Sequence, residues 1–126
     1  MKKYCLLIWV ILSTGFVYAQ NRDNIWMLAY YAGPAPYFSC GINFNSGVAD
    51  TFTVEEKKML MYFTNASICD TLGQLLFYTN GLYIANRNHD TLFNSHLFND
   101  GALTDFYVPE GMGIPQGAII LPRPEH

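Results

Sequence analysis

Apolar and polar positions along this chain fall into short blocks separated by turn residues. The clearest run spans residues 66–85: Ala66-Ser67-Ile68-Cys69, Asp70-Thr71-Leu72-Gly73, Gln74-Leu75-Leu76-Phe77-Tyr78-Thr79, Asn80-Gly81 and Leu82-Tyr83-Ile84-Ala85. It predicts a three-stranded antiparallel meander. Asn80-Gly81 predicts a two-residue type I′ hairpin, because that turn needs positive φ at both central residues and these two types tolerate it best. The link from Asp70 to Gly73 suits a type I turn followed by a left-handed glycine. Period-2 spacing, in phase across the hairpin, places Leu75, Phe77, Leu82 and Ile84 on one buried face.

The opposite face is apolar as well, since Leu76 and Tyr78 alternate with Leu75 and Phe77, and Tyr83 and Ala85 with Leu82 and Ile84. A sheet with one face in water alternates apolar with polar side chains. This meander therefore needs cover on both sides. Radial β-propeller blades have that property, each packed between two neighbours; a sandwich or a sheet in a larger assembly also meets it.

Upstream, residues 24–31 are nearly continuous apolar sequence ending at Gly33-Pro34, which predicts a buried strand. Pro34, Pro36 and Gly41 make a loop, and Ile42-Asn43-Phe44-Asn45 a short extended piece closing at Ser46-Gly47. Thr53-Val54-Glu55-Glu56 fits a helix capping box, with Glu56, Met59, Leu60 and Phe63 on one helical face. The β-rich Tyr62-Phe63-Thr64 instead favours an irregular link entering a strand near Leu60. Downstream, the chain is polar and glycine-containing through Asp105, residues 111–117 form a loop, and residues 117–121 predict a last short strand stopped by Pro122-Arg123-Pro124.

Residues 1–19 have the three parts of a secretory signal peptide: Lys2 and Lys3, an apolar segment from Leu6 to Leu12, and small-residue positions Val17 and Ala19 before Gln20. Cleavage is expected after Ala19. The apolar segment is well short of the roughly 20 residues of a spanning helix, and Cys5 lies ahead of it, not at a lipoprotein cleavage site behind it. After cleavage no stable membrane span is expected. Residues 20–126 then form one domain.

That domain has five Lys or Arg against ten Asp or Glu. No basic stripe survives, which argues against nucleic acid as a partner. Cys40 and Cys69 remain, in an oxidising compartment where a disulfide between them can persist. The alternative is that Cys69, in a strand beside Ile68, is a buried free thiol.

The chemistry-bearing residues do not assemble into a catalytic pattern. His89-Asp90 with His96 offers metal-ligand types, but Asn86-Arg87-Asn88-His89 reads as a polar hydrogen-bonded corner. Asp70, Asp90, Asp100 and Asp105 could supply the two acids of glycoside hydrolysis, yet Asp70 sits where aspartate caps its own turn. Ser67, Ser95 and the histidines form no nucleophile setting, and Gly111-Met112-Gly113 does not open a phosphate-binding helix. No catalytic residue, metal or cofactor is assigned. Nine Tyr and nine Phe suit a small β core and its interfaces; Tyr30, Tyr31, Tyr37 and Phe38, around Pro34 and Pro36, are the aromatic candidates for an exposed ligand-binding surface.

The segments Asn24-Ile25-Trp26, Gly41-Ile42-Asn43-Phe44-Asn45-Ser46-Gly47, Ala66-Ser67-Ile68-Cys69-Asp70, Gly73-Gln74-Leu75-Leu76-Phe77-Tyr78-Thr79-Asn80-Gly81, Asn86-Arg87-Asn88-His89 and Gln116-Gly117-Ala118-Ile119-Ile120-Leu121-Pro122-Arg123-Pro124 occur in that order. Together they resemble the N-terminal part of secreted β-propeller proteins of Bacteroidota associated with gliding motility and type IX secretion. The resemblance implies an all-β fold of antiparallel meanders, the first blades of an incomplete β-propeller, with further blades of the same protein as partners. It departs at Tyr62 to Asn65, where an acidic-glycine approach is expected, and at the long stretch from Asn99 to Gly113. Asp70-Thr71-Leu72 and Asp90-Thr91-Leu92 resemble O-glycosylation acceptors of exported Bacteroidota proteins, at Thr71 and Thr91. Size agrees with a partial propeller, since a repeat such as the WD40 unit takes ~40 to 45 residues.

The resulting expectation is an exported periplasmic, cell-surface or extracellular interaction or structural protein, non-catalytic in this segment, with surface proteins or glycans as further partners. The competing expectation is the N-terminal part of an extracytoplasmic glycan-binding or glycan-processing propeller enzyme.

Overall fold

The computed structural model describes residues 21–29, 39–54, 59–96 and 98–123. The expected signal peptide, residues 1–19, and the aromatic candidates Tyr30, Tyr31, Tyr37 and Phe38 lie outside them. After a 3-10 turn at Asn21–Asp23 come six strands and one helix: β1 (Ile25–Ala29), β2 (Ser39–Asn43), β3 (Asp50–Val54), β4 (Ala66–Cys69), β5 (Leu75–Thr79), β6 (Ile84–Asn86) and α1 (Ala102–Tyr107). The strands form two three-stranded antiparallel sheets, β1-β2-β3 and β4-β5-β6. The protein is thus mostly β, with a short helix within the stretch from Asn99 to Gly113 where only loop was expected.

The first sheet buries one face. Met27, Gly41 and Phe52 lie opposite one another across its three strands. Met27 is 1% exposed and Phe52 packs against the core. Gly41 makes this possible, because a Cβ there would meet the Phe52 ring at 2.2–2.9 Å. Gly41→Ala should therefore displace that ring and lower stability by about 1–3 kcal/mol, read from the urea midpoint. On the other face Trp26 is 50% exposed, so β1 alternates and is not buried on both sides as its nearly continuous apolar sequence suggests.

The sequence pattern misplaces the elements that follow. β3 occupies Asp50–Val54, where no strand was expected. Residues 55–58 of the alternative helix lie outside the described residues, and residues 59–63 form no strand. Met59 and Met61 instead insert into the core between the sheets, joining Met27, Leu75, Tyr78 and Ala85. The two sheets are also joined directly: Ser67 Oγ on β4 donates to Ile25 O at 2.8 Å and accepts from Met27 N at 3.3 Å.

The meander forms as expected, with two corrections. A register shift between Ile68 and Cys69 pairs Cys69 with Leu75 but Ile68 with Phe77. This bulge turns Leu75 to the side of Tyr78 and Ala85, both fully buried, whereas Phe77 and Ile84 lie on the opposite face and are half-buried. The expected single face of Leu75, Phe77, Leu82 and Ile84 does not exist. Nor is Asn80-Gly81 a type I′ turn. Thr79 pairs with Ile84, leaving a four-residue connection in which Gly81 has φ +85° and Asn80 does not have positive φ. The Asn80 side chain shapes this loop, its Oδ1 accepting from the N–H groups of Leu82 at 3.0 Å and Tyr83 at 3.3 Å.

Residues 117–121 are not a strand. None of the backbone groups of residues 118–123 pairs with another described residue. They still alternate, Ala118 and Ile120 half-buried and Ile119 and Leu121 80% and 74% exposed.

Candidate functional site

Four polar connections gather at one end of the sheets: the turn Asn21–Asp23, the β2–β3 loop, the β4–β5 link and the corner after β6. Asn45 ties three of them, accepting from Asn24 Nδ2 at 2.8 Å and donating to Gly73 O at 3.0 Å. Asn21 Nδ2 donates to Thr71 O at 3.4 Å, and Arg87 Nη1 to Gln74 Oε1 at 3.2 Å.

Two of these connections are built identically. Asp70 Oδ1 accepts from the N–H groups of Leu72 and Gln74, Gly73 N–H donates back to Asp70 O, and Asp70 N–H to Gln74 O. Asn86 Oδ1 accepts from Asn88 and Asp90, His89 N–H donates to Asn86 O, and Asn86 N–H to Asp90 O. Each is an Asx turn closed by a left-handed residue. Gly73 takes that position at φ +79° and His89 at φ +66°. A histidine is less comfortable there than glycine, and its ring is anchored: Nδ1 lies 2.9 Å from the hydroxyl of the fully buried Tyr78. Desolvation, followed by the neighbouring Tyr83, pushes the Tyr78 phenol well above its ordinary value, so the hydroxyl stays protonated.

This geometry gives Asp70, His89 and His96 structural contacts. The Asp70 carboxylate closes its own turn, and His96 tilts against Tyr83 with ring centroids 6.2 Å apart. Asp100 and Asp105 are exposed near α1. No group of three or more His, Cys, Asp or Glu able to hold a metal ion exists among the described residues. Thr71 and Thr91 are both exposed. Cys40 is exposed on β2 and Cys69 completely buried on β4, each as a free thiol.

Comparison with protein families, with curated proteins and with solved structures finds no match to this chain. The second candidate surface is a groove of about 350 Å³ on the far face of the second sheet. Phe77, Thr79 and Ile84 form its floor, Ala118 and Ile120 one wall, and Phe98 part of its lining. Apolar side chains dominate it, and the Thr79 hydroxyl is already committed, donating to Tyr83 O and accepting from Gly81 N–H. Such a surface can bury apolar groups.

Sequence reasoning missed Trp26, half-exposed and edge-on to Phe44 at 5.3 Å, because a continuous apolar run conceals alternation. It also missed the role of Asn45. The Asn-Ser-Gly turn signal was visible, but its partners Asn24 and Gly73 are distant in sequence.

Two outcomes follow from the buried acids. Burial pushes the Cys69 thiol up from its ordinary value of 9.0, so a thiol reagent should label Cys40 promptly and Cys69 only on unfolding. Equal labelling of the two in folded protein, quantified by peptide mass spectrometry, would contradict that burial. Desolvation also raises the Tyr78 and Tyr83 phenols above 10.0. A raised folded-state value favours the neutral form, so these groups support folding below their unfolded values and cease to do so as pH rises past them. The melting temperature should fall above about pH 9 to 10, measured by circular dichroism in buffers of equal ionic strength.

Proposed function

We propose that this chain is the opening part of an exported β-propeller that acts as a surface interaction or structural protein, not as an enzyme. One observation supports the reading: the second sheet has the first sheet on one face and residues 117–120 flanking a groove on the other. Its Tyr78 and Ala85 face packs on the first sheet through the shared core. Residues 117–120 share a groove with its Phe77, Thr79 and Ile84 face. A radial stack of blades has this succession of layers, and residues 117–121 would be the innermost strand of a third sheet. Joined first strands also fit it, since Ser67 of β4 bonds directly to the backbone of β1. The resemblance to secreted propellers of Bacteroidota supplies the address, and the polar loop end supplies a surface suited to contacts with proteins or glycans.

Export is tested by producing the full chain in a Bacteroidota host. The expected product starts at Gln20 by mass spectrometry and is digested when intact cells are treated with protease. A product starting at Met1 and protected inside the cell would overturn the assignment.

The layer reading is tested by association. Exposed Ile119 and Leu121 would be covered by a following sheet, so the isolated domain should self-associate on size-exclusion chromatography with light scattering. Ile119→Asp with Leu121→Asp should shift it toward monomer while changing its unfolding free energy by only about 0.5 kcal/mol. A monomeric parent, or a variant that unfolds, would count against an uncovered layer.

A further inference from the structure

We propose that Asn80 is a modification site gated by folding: protected in the folded chain and converted to aspartate or isoaspartate when the chain opens. An asparagine followed by glycine is chemically labile because glycine has no side chain to hinder attack by its own amide nitrogen. The Gly81 nitrogen loses its proton and forms a bond to Asn80 Cγ. The Cγ–Nδ2 bond breaks, ammonia leaves, and a five-membered succinimide remains. Water then opens either imide carbonyl, giving aspartate or isoaspartate. Water is the sole co-reactant and no electrons are transferred.

Asn80-Gly81 is the chain's one Asn-Gly pair, and every group needed for the reaction is restrained by the fold. Asn80 is 0% exposed, which keeps water from the imide step. Its Nδ2 donates to Leu60 O at 2.8 Å while Oδ1 holds the N–H groups of Leu82 and Tyr83, so Cγ cannot swing toward the Gly81 nitrogen. That nitrogen is itself occupied, donating to Thr79 Oγ1 at 3.0 Å. The bonds to Thr79, Leu82 and Tyr83 hold the loop's own shape, while the bond to Leu60 O and the burial of Asn80 come from a distant segment and vanish when that segment separates from the β5–β6 connection.

The conversion marks opening irreversibly. Aspartate keeps the acceptor for Leu82 and Tyr83 but has no N–H for Leu60 O, so a carboxylate oxygen meets a carbonyl oxygen in a dry site. Isoaspartate adds a backbone atom in the connection that sets the pairing of Thr79 with Ile84. A chain that has opened for long enough therefore cannot rebuild the same loop.

The test follows deamidation of wild-type full-length protein by peptide mass spectrometry at mildly alkaline pH. Native buffer is compared with urea, and a synthetic peptide of residues 76–84 supplies the open-chain rate. Conversion at Asn80 should match the peptide in urea and be slower by about tenfold or more in native buffer, since reaction must await opening. Equal rates in the two conditions overturn the gating. Asn80→Asp should melt well below wild type at neutral pH, with the deficit narrowing in acid as the protonated carboxyl regains a donor for Leu60 O. A variant matching wild type throughout overturns the irreversible consequence.

Discussion

Tyr78→Ala should destabilise the fold by about 3–5 kcal/mol, the range for truncating a fully buried aromatic side chain. Tyr78 is the largest completely buried side chain in the described core, and it touches both halves of the molecule. It belongs to the buried cluster of Met27, Met59, Met61, Leu75 and Ala85, and its hydroxyl anchors His89 in the corner after β6. The two contributions separate by substitution. Tyr78→Phe keeps the packing and loses the anchor, so it should cost only about 1–2 kcal/mol. In a background of His89→Gly, which suits the left-handed backbone as Gly73 does in the twin turn, the Phe substitution should cost less than in wild type. Equal costs in both backgrounds, read from urea denaturation, would show that the Tyr78 to His89 contact contributes nothing.

Asn80→Ala should cost about 2–4 kcal/mol, because it strands a carbonyl and two N–H groups in a site without water. Three separate segments meet at this residue. Leu60 O accepts from its side chain, Met112 N–H donates to its backbone carbonyl at 3.0 Å, and Asn99 Nδ2 donates to the neighbouring Gly81 O at 3.1 Å. A fall in melting temperature of roughly 10 °C is expected. Asn88→Ala is the matched control: Asn88 is exposed in the corner after β6, so its side-chain loss should change stability by less than about 0.5 kcal/mol. If the two alanine variants melt together, the Asn80 side chain is a loop ornament and not a junction.

The meander was legible from short-range signals. Turn residues at 70–73 and 80–81 bounded β-rich runs, and the Asp70 to Gly73 link has the left-handed glycine and the closing bond that its residue types demand. The apolar character of both faces was also legible, since it depends only on which side chains alternate. The first sheet covers one of those faces, and the other carries half-buried Phe77 and Ile84 in a groove flanked by residues 117–120.

Which residues share each face was decided by tertiary structure. The bulge at Cys69 and Leu75 moved Leu75 to the face of Tyr78, a choice between two apolar faces that periodicity cannot make. β3 was hidden because Thr53-Val54-Glu55-Glu56 carries a local helix signal, while Phe52 gains more by lying across Gly41 of the adjacent strand. Residues 117–121 kept the alternation of a strand without becoming one, since a strand requires a partner's backbone and no described residue provides it. Asn80 shows the same division within a single residue. Sequence alone marked it as a turn, because Asn before Gly bends the chain locally whatever surrounds it. Its place as a buried junction came from Leu60, Met112 and Asn99, whose meeting depends on packing between segments distant along the chain.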